Sequence, residues 1–199
     1  MSVFDLSKYQ PEGRIGELYQ QGNCDGVILK LGERNMDSGE MELDPKFISH
    51  VNEAVQYNLP YGVYIMSRCR NAEEAMQEAQ WVNDKVAELL NGQEPALGTW
   101  WDLERPEVKR EDIWDSVGDA IGTMESWWSS NKIGIYASHY YFYDYLGMQN
   151  VIDYNIPLWV AQYSGSSCKI KDTEPNVKVV AWQFSTNNNT QDENIWYGF

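Results

Sequence analysis

The chain has 199 residues, 30 of them acidic and 15 basic, for a formal net charge of −15. That excess argues against a nucleic-acid partner and against an anionic membrane surface, both of which need clustered Lys and Arg. With 43 % hydrophobic residues the chain is globular and long enough for one domain with its own core, and no apolar run approaches the eighteen or so residues of a membrane span.

The opening "MSVFDLSKYQ" has neither a basic nor an apolar leader region, so no signal peptide is expected in this chain. Aromatic residues make up 14 %, with 9 Trp and 13 Tyr; such rings fill cores and also stack on the C–H faces of sugars. Cys24, Cys69 and Cys168 are widely spaced without a CxxC, so neither a disulfide framework nor a zinc site is expected. His50 and His139 lie far apart, and His139 is expected to cap a helix or sit on the surface.

In chain order, "VFDL" (3–6) is a brief strand, and 13–22 a short helix stopped by Gly22. "GVILKLG" (26–32) is a strand. A helix over 44–58 starts at Asp44-Pro45 and puts Phe47, Val51, Ala54 and Val55 on one face. "YGVYIMS" (61–67) is a strand, and the clearest helix covers 72–92, closed by Gly92. "ALGTWWDLE" (96–104) is a strand, followed by a helix over 110–131 with Ile113, Val117, Ile121 and Met124 in register. "KIGIYAS" (132–138) is a strand and 139–147 a short helix. After that the helices are expected to stop: 157–163, 178–185 and 193–198 read as three successive strands, with "STNNNTQDEN" as a polar loop.

Five strand–helix units followed by three strands imply an α/β fold built on a parallel-type sheet. At this length they predict a TIM-like barrel short of its last helices. A doubly wound open sheet competes, but no GxGxxG follows the first strand. One catalytic domain over residues 1–199 is expected.

The chemistry concentrates at strand ends. In a strand, residues two apart share a face, so Asp102 and Glu104 point the same way at the C-terminal end of the fourth strand, while Trp101 and Leu103 face the helices. That end of a barrel is where sites are built. Neighbouring carboxylates and an aromatic wall raise a pKa, which keeps one acid protonated for general-acid work. A solvated strand end beside Arg105 is the plainer reading of a lone DxE. Asp5 ends the first strand, however, and Asp192 precedes the last. Closure of an eight-stranded barrel would bring those two together at the same mouth, and four converging acids are costly without a function.

These residues together resemble glycoside hydrolase family 25, the lysozyme-like muramidases. The family's opening Gly-Ile-Asp-Val-Ser-x-Tyr-Gln is matched by "VFDLSKYQ" with Asp5, Ser7, Tyr9 and Gln10; its basic strand end by Lys30; its helix leading to Gly-x-Tyr by Asp44, Phe47, Ala54, Gly62 and Tyr64; its Asp-x-Glu by "WWDLE". "GIYAS", "PLWVAQYS", "AWQFS" and "DEN" follow in family order, so the similarity spans essentially the whole chain. Departures are Phe4 for Ile, His50 and Asn58 in the second helix, "YIMSR" after the Gly-x-Tyr, and Gln191 for Val.

The resemblance implies a flattened barrel of five β/α units plus three strands, and cleavage of the β-1,4 bond between N-acetylmuramic acid and N-acetylglucosamine in bacterial peptidoglycan. It makes Glu104 the general acid and gives Asp102 the substrate's 2-acetamido group, the route outside the usual two-carboxylate schemes. Asp5 and Asp192 hold the site's charge and hydrogen bonds. Tyr64, Tyr136, Trp159 and Gln183 line the sugar groove, with Tyr64, Tyr136 and Trp159 equally open to a core role. No metal or cofactor is implied. The enzyme is expected to act as a monomer on the wall, outside the cell, released by a phage or exported with a leader removed. Two other readings are a wall-glycan-binding module with impaired catalysis on the same scaffold and a chitinase-like glycosidase. The first would have lost Asp102 or Glu104. The second carries a longer acidic run where this chain has Thr99, Trp100 and Trp101.

Overall fold

The computed structural model describes residues 1–104, 108–185 and 191–199. Its strands are β1 (Ser2–Leu6), β2 (Gly26–Arg34), β3 (Met41–Leu43), β4 (Tyr61–Met66), β5 (Thr99–Asp102), β6 (Ile133–Ser138), β7 (Leu158–Ala161), β8 (Val179–Ser185) and β9 (Asp192–Trp196). Parallel pairing runs from β1 to β2, then through β4, β5, β6, β7 and β8. β9 closes the ring, antiparallel to both β8 and β1. β3 stands outside the ring, antiparallel to β2. The fold is thus an eight-stranded closed barrel with one extra strand.

The helices are α1 (Arg14–Gln20), α2 (Phe47–Gln56), α3 (Ala72–Leu89), α4 (Ile113–Glu125), α5 (His139–Tyr141), α6 (Met148–Tyr154) and α7 (Lys169–Thr173). Among the described residues none is long and apolar enough to cross a membrane. α3 starts where Asn71 Oδ1 accepts the Glu74 N–H at 2.9 Å, a side-chain cap, with Glu73 and Glu74 favourable at the positive helix end.

Several expectations need correction. Helices do not stop after residue 147: α6 precedes β7 and α7 lies between β7 and β8. Each buries a single residue, Val151 and Ile170, too little to print a 3.6-residue period on the sequence. The expected strand over 96–104 begins only at Thr99, because Gly98 turns the chain with φ +79°. α2 begins at Phe47 rather than at Asp44, whose Oδ1 instead accepts the Lys46 N–H. His139 does not cap α5; Ser138 does, its Oγ accepting from the Tyr141 N–H at 3.2 Å, and His139 is buried beside the Tyr140 and Tyr143 rings. The polar loop falls largely on 186–190, outside the described residues, as does Arg105.

Strand alternation sorts the side chains into two cores. Outward positions such as Phe4, Leu29, Ile65, Trp101, Leu103 and Ile135 pack against the helices. Inward positions Val3, Ile28, Trp100, Tyr136, Trp159 and Trp196 fill the barrel. Trp100 meets Trp159 and Trp196 edge-on, at 5.9 and 6.0 Å between ring centres, a favourable aromatic geometry. Gly134 leaves room for this plug: a Cβ there would stand 2.4 Å from the Trp100 ring and 2.5 Å from the Pro157 carbonyl. The tryptophans close the lower barrel, and the inward positions one layer higher are polar.

Candidate active site

The polar layer comes from the same alternation. One step beyond Val3, Ile28 and Trp100, the inward positions are Asp5 on β1, Lys30 on β2, Asp102 at the end of β5, Gln183 on β8 and Asp192 on β9, with Asn194 opposite Val3. Asp5 sits directly opposite Asp192 in the β1–β9 register. Asp102 pairs with Met66 on one side and Tyr136 on the other. The Leu103 N–H donates to the Tyr136 carbonyl at 2.8 Å, carrying the chain past the strand end so that Glu104 emerges, exposed, beside the Tyr136 hydroxyl. Asp5, Asp102, Glu104 and Asp192 line one groove of about 370 Å³ together with Tyr64, Tyr136, Trp159 and Gln183. The eight residues assigned to the site from the sequence thus line one groove.

Their environments differ. Asp5 is buried; its Oδ2 accepts from Asn194 Nδ2 at 2.8 Å and Gln183 Nε2 at 3.0 Å. Burial, then the charge of Asp192, raises its pKa to about 7. Burial also raises Asp192. Asp102 is pushed well above the carboxylate range, by burial first and then by Glu104, while Lys30 and Arg68 pull it down. Its Oδ1 is buried with no hydrogen-bond partner among the described residues, a costly arrangement for a bare acceptor.

Glu104 is bounded by a neutral polar wall. Tyr136 Oη lies 3.3 Å from Glu104 Oε1 and 2.8 Å from Gln183 Oε1, and Tyr163 Oη donates to the same Gln183 oxygen at 2.6 Å. A hydroxyl has one proton. Tyr136 Oη is therefore shared between two acceptors, the Gln183 amide oxygen and the Glu104 carboxyl.

Tyr136 and Trp159 are only 6 % and 1 % exposed, and Trp159 Nε1 donates to Asn194 Oδ1 at 2.7 Å. Their rings make the groove floor. The exposed aromatics at the rim are Tyr9 and Tyr163, 79 % and 58 % exposed, and Tyr163 was not assigned from the sequence. Nor were Glu33 and Arg68, which reach the groove from beyond the inward strand positions. The departure Gln191 is buried and structural: Nε2 donates to the Asp5 carbonyl at 3.2 Å, and Oε1 accepts from Arg14 Nε at 3.1 Å. Among the described residues no group of three or more His, Cys, Asp or Glu side chains could hold a metal ion.

Carboxylic acids in different environments at one barrel mouth suit hydrolysis of a glycosidic bond. The family model described as Glycosyl hydrolases family 25 matches residues 4–193, and the chain belongs to that family. No curated protein matches it in sequence. Solved structures do match. The modular autolysin LytC of Streptococcus pneumoniae superposes with a TM-score of 0.81 at 16 % identity, over 98 % of this chain and 46 % of that one. The catalytic domain of the endolysin ply40, from a bacteriophage of Listeria monocytogenes, gives 0.75 at 19 % identity, over 98 % and 92 %. The lysozyme of Streptomyces coelicolor gives 0.75 at 16 % identity, over 100 % and 92 %. The chain spans less than half the length of the pneumococcal autolysin.

Proposed function

We propose that residues 1–199 form one catalytic domain, an N-acetylmuramidase that hydrolyses the β-1,4 bond between N-acetylmuramic acid and N-acetylglucosamine in bacterial peptidoglycan. The observation that carries this reading is the division of labour among four acids in one groove: Glu104 exposed at the rim, Asp102 buried with an oxygen unpartnered among the described residues, and Asp5 buried opposite Asp192.

Each step has a residue suited to it. Glu104, in its protonated form, donates to the glycosidic oxygen as the bond to C1 breaks, and Tyr136 holds the carboxyl in place. The 2-acetamido carbonyl oxygen of the substrate attacks C1 from the opposite side and closes a cyclic oxazolinium. Burial and Glu104 disfavour ionisation of Asp102 in the empty groove; the positive charge that grows on the acetamido group favours it, so that Oδ1 accepts the acetamido N–H and faces that charge. Water then attacks C1, Glu104 takes its proton, and the ring opens back to the acetamide. Asp5 and Asp192 flank the same groove and bind sugar hydroxyls through the network of Gln183 and Asn194. The enzyme acts on the wall, outside the cell, as a monomer.

Mass spectrometry of borohydride-reduced wall digests tests the reading. New reducing ends on N-acetylmuramic acid, with stem peptides still attached, are expected. Reduced glucosamine ends or released stem peptides would overturn the bond assignment.

A further inference from the structure

The β2–β4 sector of the mouth carries charge of the opposite sign to the rest. Lys30 Nζ lies 3.3 Å and Lys8 Nζ 3.4 Å from Glu33 Oε1, and Arg68 Nη2 lies 3.8 Å from Glu33 Oε2. Three cations thus divide one carboxylate in a chain with a net charge of −15. The nearby Asp44 accepts the backbone N–H groups of Lys8 and Lys46, each at 2.9 Å, and its charge acts on Lys8, the cation that does not line the groove. Lys30 and Arg68 both line the groove, and neither has a carboxylate to itself.

The arm that carries Arg68 is fixed. Its backbone N–H donates to Glu78 Oε1 at 3.2 Å, its Nη2 rests 3.4 Å from Met66 Sδ, and its side chain is 19 % exposed. Glu78 is fully buried and is held in turn by Arg34 Nε at 3.1 Å and Ser67 Oγ at 2.7 Å. A buried ion pair of this kind, costly as stabilisation, is well suited to fixing one geometry. It anchors the backbone from which the Arg68 guanidinium reaches the groove wall, and a guanidinium is the side chain that grips a carboxylate through two parallel N–H bonds.

We propose that Arg68, backed by Lys30, forms a carboxylate-recognition subsite that selects substrate strands by the acidic group hung from the muramic ring. This rests on the muramidase reading. The chemistry is a carboxylate, and it has two sources in a wall strand: the lactyl group of a peptide-free muramic acid, or the free carboxyl of a glutamate in the stem peptide. Lys30 is the deeper cation, 7 % exposed, and faces Asp102 as well. Arg68 is the outer one and determines specificity.

The test compares wild type with Arg68→Gln and Arg68→Lys on three soluble strands: peptide-free strands with the lactyl carboxylate, strands bearing a stem with free glutamate carboxyl, and strands whose lactyl group ends in an alanine amide without any carboxylate. For Arg68→Gln, kcat/KM is expected to fall about tenfold or more further on one or both acidic strands than on the amide strand, with the extra loss mainly in KM. Whichever acidic strand loses its advantage identifies the source of the carboxylate. Arg68→Lys is expected to restore part of the loss. An equal loss on all three strands would assign Arg68 to the ionisation of Asp102 and overturn the subsite, as would no loss on any. Wild-type enzyme that cuts none of the three would overturn the muramidase reading and the subsite with it.

Discussion

Replacing Asp5 by Asn isolates the energetic consequence of burying two acids opposite each other. The Asp5 pKa stands at about 7 against an ordinary 3.8, so the folded state holds a proton that the unfolded chain has released. The sign follows from linkage: where the native state binds more protons, stability falls as pH rises. The contribution of Asp5 is fully present below pH 3.8 and is lost by the time pH passes about 7. A shift of about three pKa units corresponds to up to roughly 4 kcal/mol. Asn fits the site without rebuilding it. Its oxygen can accept from Gln183 Nε2 and Asn194 Nδ2 as Asp5 Oδ2 does, and its amide can donate to Asp192 in place of the Asp5 proton. Urea unfolding across pH 4 to 8.5, for wild type and Asp5→Asn, reads the effect. The variant's stability relative to wild type is expected to climb by about 2 to 4 kcal/mol over that range, while its wall-lysing activity falls. A stability difference that stays constant with pH would refute the raised pKa of Asp5. A relative stability that falls with rising pH would reverse its sign.

Two further predictions concern single contacts. Glu104→Gln keeps shape and removes the donor proton, so wall lysis should fall by at least about a hundredfold, and the melting temperature should barely move because the side chain is exposed; near-normal lysis would remove Glu104 from the acid role. Arg34→Met strands the fully buried Glu78 carboxylate and should cost about 3–5 kcal/mol in urea unfolding, with a cost below about 1 kcal/mol showing that Ser67 and the Arg68 N–H suffice for it.

The strand ends were readable because a period of two is a strict rule. It put Asp102 and Glu104 on one face and Trp101 and Leu103 on the other without any knowledge of neighbours, and the inward and outward cores divide in that way. The meeting of Asp5 with Asp192 needed one more assumption, that eight strands close. The ring does close, with β9 inserted antiparallel between β8 and β1. No periodic pattern distinguishes an antiparallel last strand from a parallel one, so its direction came only from the tertiary structure. α6 and α7 were missed because helices of 7 and 5 residues, each burying one side chain, have no repeat to detect.

What the amino-acid sequence determined by itself is the order of the eight barrel strands, the inward phase of their side chains and the acids placed at their ends. These are local properties, set by side-chain alternation and by the positions of Gly and Pro. Depth belongs to the tertiary structure. It buried Asp5 and Asp102 while leaving Glu104 exposed, and it made Trp159 a floor rather than a rim. It also drew Lys8, Lys30 and Arg68, from three separate segments, around the single carboxylate of Glu33. Desolvation and charge pairing depend on what surrounds an atom in space, and those surroundings come from residues up to 189 positions away in the chain, as Asn194 is from Asp5.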